Sequence, residues 1–309
     1  MTADRTGTAD LTRPGSTEFT RLDNRMKGVA YRMLASWADA EDVAAESWLR
    51  WHQHRGEVDN PQAWLTTVAT RISLDRWRTN RRRKESYIGP WLPEPIDPGL
   101  LPDETAEQRQ SLALGLMLIM ERLTPDERAV YVLRHAFDHT FVEIGTMLGR
   151  TTDSARQLGH RAAGKVAAAE PRRRSSNELA ALRGLMTAIM EGRQADAVAL
   201  ITGDAVLLSD GGGKVSAARK PILGADKIVR FLIGIARKEK VTPPTLIEVN
   251  DNWAIRYRAD DRLWFFTLDA GTGKVTALYA VGNPDKLGHL PDGGDVPLGD
   301  SAEATFPGS

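Results

Sequence analysis

The chain has 309 residues, 41 basic against 41 acidic side chains, 41% hydrophobic residues and no cysteine. That length suits two or three domains with their own cores, the missing cysteines exclude a disulfide framework or thiolate metal site, and the short apolar runs exclude a bilayer span. The opening MTADRTGTADLTRPGST lacks an apolar run after a basic start, so residues 1–17 read as a disordered lead-in and a cytoplasmic location is expected.

Residues 18–84 are predicted helical throughout. In LDNRMKGVAYRML, Leu22, Met26, Val29, Ala30, Met33 and Leu34 recur at spacings of three and four and form one apolar stripe. Ser36 or Asp39 caps the next helix, whose first turns gather Asp39, Glu41, Asp42 and Glu46 near the positive end of its dipole. Asn60 and Pro61 open a third helix with Trp64, Val68 and Ile72 on its buried side. Its end, RISLDRWRTNRRRK, holds seven bases and one acid over residues 71–84. Such a cluster is either a solvated face or a contact for a polyanion, and Trp77 within it is either core or a platform for an exposed base.

The following stretch to Glu107 carries five prolines and six acids without a base. Residues 85–106 therefore read as an extended linker, either a plain spacer or an acidic strand that lies in a positive channel of a partner. Helix returns over residues 107–169. Thr124, Pro125 and Glu127 have the spacing of a capping box with proline in the first turn. Beyond DHT, Phe141, Ile144, Met147 and Leu148 make a short apolar helix, Gly149 supplies a tight turn, and Thr152 caps a second helix to about Val166. The pattern is a helix-turn-helix or a plain structural hairpin. In a DNA-reading unit Asp153, Ser154, Arg156, Gln157 and His160 would meet base edges, while Arg150, Thr151, Arg161 and Lys165 would meet phosphates, with Thr152 at the same end. Residues 150–174 hold seven bases against two acids, and Gly164 weakens the helix end by about 1 kcal/mol relative to alanine.

Residues 170–176 form a basic second linker. Residues 177–290 change to α+β texture: helices, then strands at TLIEVN, NWAIRYRA, RLWFFTLD and KVTALYAVG with turns between them. Trp253, Tyr257, Trp264, Phe265 and Phe266 serve as core or as the lining of a pocket. His289 is the one histidine of this region and no Asp/His pair stands at catalytic spacing, so no enzyme activity is expected. His52 and His54 point apart, and a helix break separates His135 from His139 and Glu143; no metal or cofactor is expected. Residues 291–309 read as a disordered tail.

The order YRMLASWADAEDVAAESWLRWHQH, NPQAWLTTVATRISLDRWRTNRRRK, LTPDERAVYVLRHAFDHTFVEIGTMLGRTTDSARQL resembles the extracytoplasmic-function (ECF) class of bacterial RNA polymerase sigma factor over about residues 18–170. WLPEP at 91–95, DGGGK at 210–214 and NPDKL at 283–287 resemble the subgroup with a fused SnoaL-like C-terminal domain. The resemblance implies two all-α domains, a sigma-2 bundle and a sigma-4 helix-turn-helix, followed by an α+β cone.

It assigns Asp39, Glu41, Asp42, Glu46, Trp48 and Arg50 to the clamp coiled coil of core RNA polymerase, with the flap as a further polymerase contact. Arg71, Asp75, Arg76, Trp77, Arg78, Asn80, Arg81, Arg82 and Arg83 fall to the −10 promoter element, and the second helix of the helix-turn-helix to the −35 element. It further implies control by the fused domain in place of a separate anti-sigma factor. Trp91, Leu92, Pro93, Glu94 and Pro95 would act there with Asp210, Gly211, Gly212, Gly213, Lys214, Asn283, Pro284, Asp285, Lys286 and Leu287. A small ligand in the C-terminal domain stays open, as do two other readings of the chain: a ligand-sensing one-component repressor and a DNA-tethered SnoaL-like enzyme.

Overall fold

The computed structural model describes residues 16–102, 104–169, 178–250, 252–271, 273–290 and 296–297. The lead-in to residue 15, the linker 170–176 and most of the tail expected at 291–309 lie outside these residues. Within the tail, Val296 and Pro297 form a short strand.

Helices α1 (Ser16–Leu34), α2 (Trp37–Gln53) and α3 (Pro61–Glu85) make the first unit. The apolar stripe of α1 is buried from Leu22 to Leu34. Ser36 Oγ accepts the Asp39 amide at the start of α2 and Asn60 Oδ1 accepts that of Ala63 at the start of α3, each supplying a partner that the first helical turn lacks. The second unit comprises α4 (Ala106–Gln110), α5 (Leu114–Met120), α6 (Pro125–His135), α7 (Phe141–Leu148) and α8 (Thr152–Ala168). Reciprocal capping boxes at Thr124/Glu127 and Thr140/Glu143 set α6 and α7. Gly149 turns the chain at φ 64°, and the cap of α8 is Thr151 rather than the expected Thr152. Both threonines can cap; the extended backbone falls at Thr151, whose Oγ1 accepts the Ser154 amide. Gly164 lies inside α8, which runs on to Ala168.

The third unit is a sheet on helices α9 (Glu178–Met190), α10 (Gln194–Ala199) and α11 (Ala225–Lys238). Its strands are β1 (Ile201–Asp210), β2 (Ile222–Leu223), β3 (Thr245–Val249), β4 (Asn252–Ala259), β5 (Arg262–Gly271), β6 (Lys274–Val281) and β7 (Val296–Pro297), in the order β2-β1-β6-β5-β4-β3-β7. Neighbours pair antiparallel except β1 with β6, which run parallel. Side chains alternate across the pleat. Trp264 and Phe266 therefore enter the core beneath the helices, while Phe265 enters a core on the opposite face.

That opposite face is covered by the rest of the chain. Leu92 of the linker and Leu114 and Leu118 of α5 pack on Val249, Phe265, Tyr279 and Val281 of the sheet. Met117 and Met120 of the same helix enter a larger core shared with α1, α2 and α3. A seven-residue helix, LGLMLIM, apolar on every side, thus joins two cores.

Candidate nucleic-acid and polymerase interface

Helix α3 carries the basic strip along its C-terminal half, and its described cations already have partners within the chain. Arg71 Nε donates to the Met147 carbonyl of α7, 2.9 Å away. Arg76 sits among three carboxylates of α2, at 3.7 Å from Asp39, 3.0 Å from Asp42 and 3.5 Å from Glu46. Asn80 Nδ2 donates to Asp39 at 2.8 Å, Arg78 pairs with Asp75 at 2.9 Å, and Lys84 pairs with Glu121 at 2.7 Å. Arg81, Arg82 and Arg83 lie on α3. Trp77 is half-buried against the core shared by the two helical units.

Of the residues assigned to polymerase, Glu41, Asp42 and Arg50 are exposed on α2, and Arg50 bonds Glu46 at 2.6 Å. Trp48 is not a surface residue. Its ring is buried and stacks on Phe19 at 4.3 Å, and its indole Nε1 donates to Asp23, because the face of α2 that it occupies packs on α1.

Along α8, Ala155, Leu158, Gly159 and Ala162 turn inward while Asp153, Arg156, Gln157, His160 and Arg161 remain exposed. Gln157 and His160 make no side-chain hydrogen bond among the described residues. Arg156 pairs with Asp153 at 2.7 Å, and Arg150 pairs with Asp126. Arg161 and Lys165, expected at phosphates, reach back to the buried Glu127 at 3.4 and 2.7 Å. Burial alone would raise the Glu127 pKa; the bonds from Lys165 and Thr124 outweigh it and hold it at about 2.

The linker is not a spacer. Leu92, Pro93, Glu94, Pro95 and Ile96 are buried, bonded on one side to the first unit and on the other to the third. Glu94 Oε2 accepts the Trp37 amide at the positive end of α2, its amide donates to the Ala35 carbonyl, and its carbonyl accepts the Tyr31 hydroxyl. Asp210, fully buried at the end of β1, accepts four donors: the Tyr87 hydroxyl at 2.6 Å, the Gly212 amide, the Leu92 amide at 2.9 Å and Lys286 Nζ at 2.8 Å. Lys286 also donates to the Leu92 carbonyl and stands over the rings of Trp91 and Tyr87. Burial lowers its pKa while Asp210 opposes the shift. Asn283 Nδ2 donates to the Tyr87 hydroxyl.

Gly212 and Gly213 have φ of 61° and 71°, and a Cβ on Gly213 would lie 2.8 Å from Ile88 of the linker, so side chains at this turn would be strained. Gly211 is buried beside them, whereas Pro284 is exposed and Leu287 packs under the sheet. Lys214 takes no part in the linker contact; it pairs with Asp285 of its own domain at the surface.

Residues without a sequence signal complete the joint. Asn250, buried in the β3–β4 turn at φ 52°, pairs through amide and side-chain oxygen with the Ile96 backbone and donates Nδ2 to the Tyr31 hydroxyl and the Leu112 carbonyl. His289 bonds the Pro95 carbonyl. Arg32 pairs with Glu104, and Arg128 pairs with Glu121 and donates to the Arg32 carbonyl.

Residues 19–83 match the family model of Sigma-70 region 2 and residues 114–166 that of Sigma-70 region 4. The ECF RNA polymerase sigma factor SigJ of Mycobacterium tuberculosis is 34% identical over 295 residues, covering 87% of this chain and 92% of its own. This chain is an ECF RNA polymerase sigma factor. The crystal structure of the M. tuberculosis SigJ superposes with a TM-score of 0.72 at 31% identity over 88% of this sigma factor and 98% of SigJ. The probable ECF sigma factor SigI of the same species is 32% identical over 149 residues, 45% of this chain and 49% of SigI. As a sigma factor the chain binds core RNA polymerase and promoter DNA to start transcription, with two helical sigma units and an α+β C-terminal domain. Among the described residues no helix is long and apolar enough to cross a membrane.

Proposed function

We propose that the C-terminal domain is a built-in regulator that holds sigma-2 and sigma-4 in the closed arrangement described above, with no separate anti-sigma factor and no turnover of its own. The observation that carries this reading is the Asp210–Lys286 joint: a fully buried carboxylate and a buried ammonium of the C-terminal domain grip Tyr87 and Leu92 of the linker between the two sigma units. In the same arrangement Arg71 of the −10 strip is tied to Met147 of the helix-turn-helix, so promoter elements on separate stretches of DNA require that seam to part. The −10 contact is assigned to the strip from Arg71 to Arg83 and the −35 contact to the exposed face of α8. The carboxylates of α2 are assigned to the polymerase clamp, in the cytoplasm where the polymerase works. That His289 is spent on a linker carbonyl supports a regulatory rather than a catalytic domain.

The test is in-vitro transcription with core RNA polymerase on the promoter upstream of the protein's own gene. Asp210→Ala and Lys286→Ala are expected to raise transcript yield at limiting polymerase, whereas Lys214→Ala, which loses an exposed pair inside one domain, leaves it unchanged. Equal yields for all four folded proteins across polymerase concentrations would remove the proposal.

A further inference from the structure

A half-open cavity of about 510 Å³ lies on the seam between α3 of sigma-2 and the α5–α6 connection of sigma-4. Its size falls in the range of small-molecule sites, and its wall mixes apolar and polar groups as such sites do. Leu34, Trp77, Leu123 and Pro125 supply the apolar part, Asn80, Lys84, Glu85, Glu121, Arg122 and Thr124 the polar part.

Among the described residues, three cations around this cavity, Lys84, Arg122 and Arg128, stand against two carboxylates, Glu121 and the exposed Glu85. Glu121 is shared by two cations, Lys84 at 2.7 Å and the fully buried Arg128. Buried charges are normally compensated and buried N–H groups bonded. Here one carboxylate faces two cations, and Arg128 Nη2 is buried without a hydrogen-bond partner. Lys84 responds to this environment: burial pushes its pKa down to about 8 in spite of Glu121. At the rim, the exposed Arg122 guanidinium has no partner among the described residues. The remaining polar groups are engaged: the Thr124 hydroxyl and amide are both used in the cap of α6, Asn80 Nδ2 is given to Asp39, and the exposed Glu85 has an interaction of its own. What the described residues offer around the cavity is therefore one surplus positive charge, three cations against two carboxylates, beside an indole and aliphatic wall.

We propose that this cavity binds a small organic anion, a single carboxylate or sulfonate on a flat apolar body, held by Lys84 and Arg122 with the body against Trp77 and Leu123. Because the walls come from both sigma units, the site is complete only in the closed arrangement, and an occupant stabilises that arrangement by mass action. The inference goes beyond the control assigned to the C-terminal domain.

The experiment is isothermal titration of the free full-length chain with 2-naphthoate and with its neutral analogue 2-naphthylmethanol, alongside tryptophan fluorescence. One-to-one binding of the acid is expected, with the alcohol weaker by about tenfold or more. Two variants should each weaken the acid to the same degree: Arg122→Glu, at an exposed position, and Lys84→Met, which leaves Glu121 and Arg128 as a balanced pair. Circular dichroism confirms that both are folded. No binding of the acid, equal binding of acid and alcohol, or affinities untouched by both variants would overturn the proposal. Since binding is read without polymerase, each of these results leaves the transcription test of the Asp210–Lys286 joint standing.

Discussion

The two basic stretches of this sigma factor look alike in sequence and differ in what they have left to give. Around Arg71–Lys84 every described cation has an internal partner on another turn, helix or domain. On α8 the cations at the margins are likewise paired, yet Gln157 and His160 stand open on the exposed face. A run of arginines therefore measures charge, not availability: the first stretch is braced against its own protein, while the second keeps two uncharged hydrogen-bonding side chains free. Burial separates them further. The Arg156–Asp153 pair on α8 is solvated and weak, whereas Asp210 and Lys286 at the linker are removed from water and depend on each other.

The sharpest way to break this contrast is Lys286→Ala, which leaves Asp210 buried with an uncompensated charge. A loss of about 3 to 5 kcal/mol is expected in urea denaturation of the full chain. A loss under about 1 kcal/mol would put the linker joint on the footing of a surface pair.

Glu127 comes next. Its folded pKa of about 2 lies below the ordinary 4.5, so its contribution is complete above about pH 4.5 and disappears as pH falls through about 2. Roughly 3 kcal/mol of stability should go over that window, and Glu127→Gln should flatten the profile while lowering stability at neutral pH. An unchanged profile would mean that Arg161 and Lys165 are free for phosphates after all.

Gln157→Ala should reduce discrimination at one −35 base pair by about 2 kcal/mol, measured by competition between promoter variants bound to the holoenzyme, with folding stability unaltered. Smallest is Arg71→Ala, which removes one bond to Met147. About 1 kcal/mol of seam stability should be lost, read as faster amide hydrogen exchange in α7.

Much of the fold was legible because its signals are local. The stripe of α1 and the caps at Asn60 and Thr124 depend on residues a few positions apart, and each is found where that spacing puts it. The shift of the α8 cap from Thr152 to Thr151 is the error that two adjacent capping residues invite. Trp48 was misplaced because the face of α2 that it occupies is defined by Phe19 and Asp23 on another helix. The joint was legible as three motifs but not as chemistry. Nothing near Asn250 announces Tyr31 or Leu112 as its partners, and nothing near Glu94 announces the end of α2 that it caps. A proline-rich acidic stretch reads as a linker by composition; only the donors that converge on it from both sides make it core.

Helix α5 carries a last consequence, which concerns manufacture. The ribosome delivers Leu92, Leu114 and Leu118 long before Phe265, Tyr279 and Val281, the sheet residues that cover them. At synthesis rates of about 5 to 20 residues per second, the finished sigma units wait on the order of 10 s or more with that leucine stripe bare. During this interval the nascent chain offers a sticky surface to chaperones, to neighbouring polysomes or to the polymerase itself. The order of the domains along the gene thus builds into every molecule a brief period before its own C-terminal domain exists.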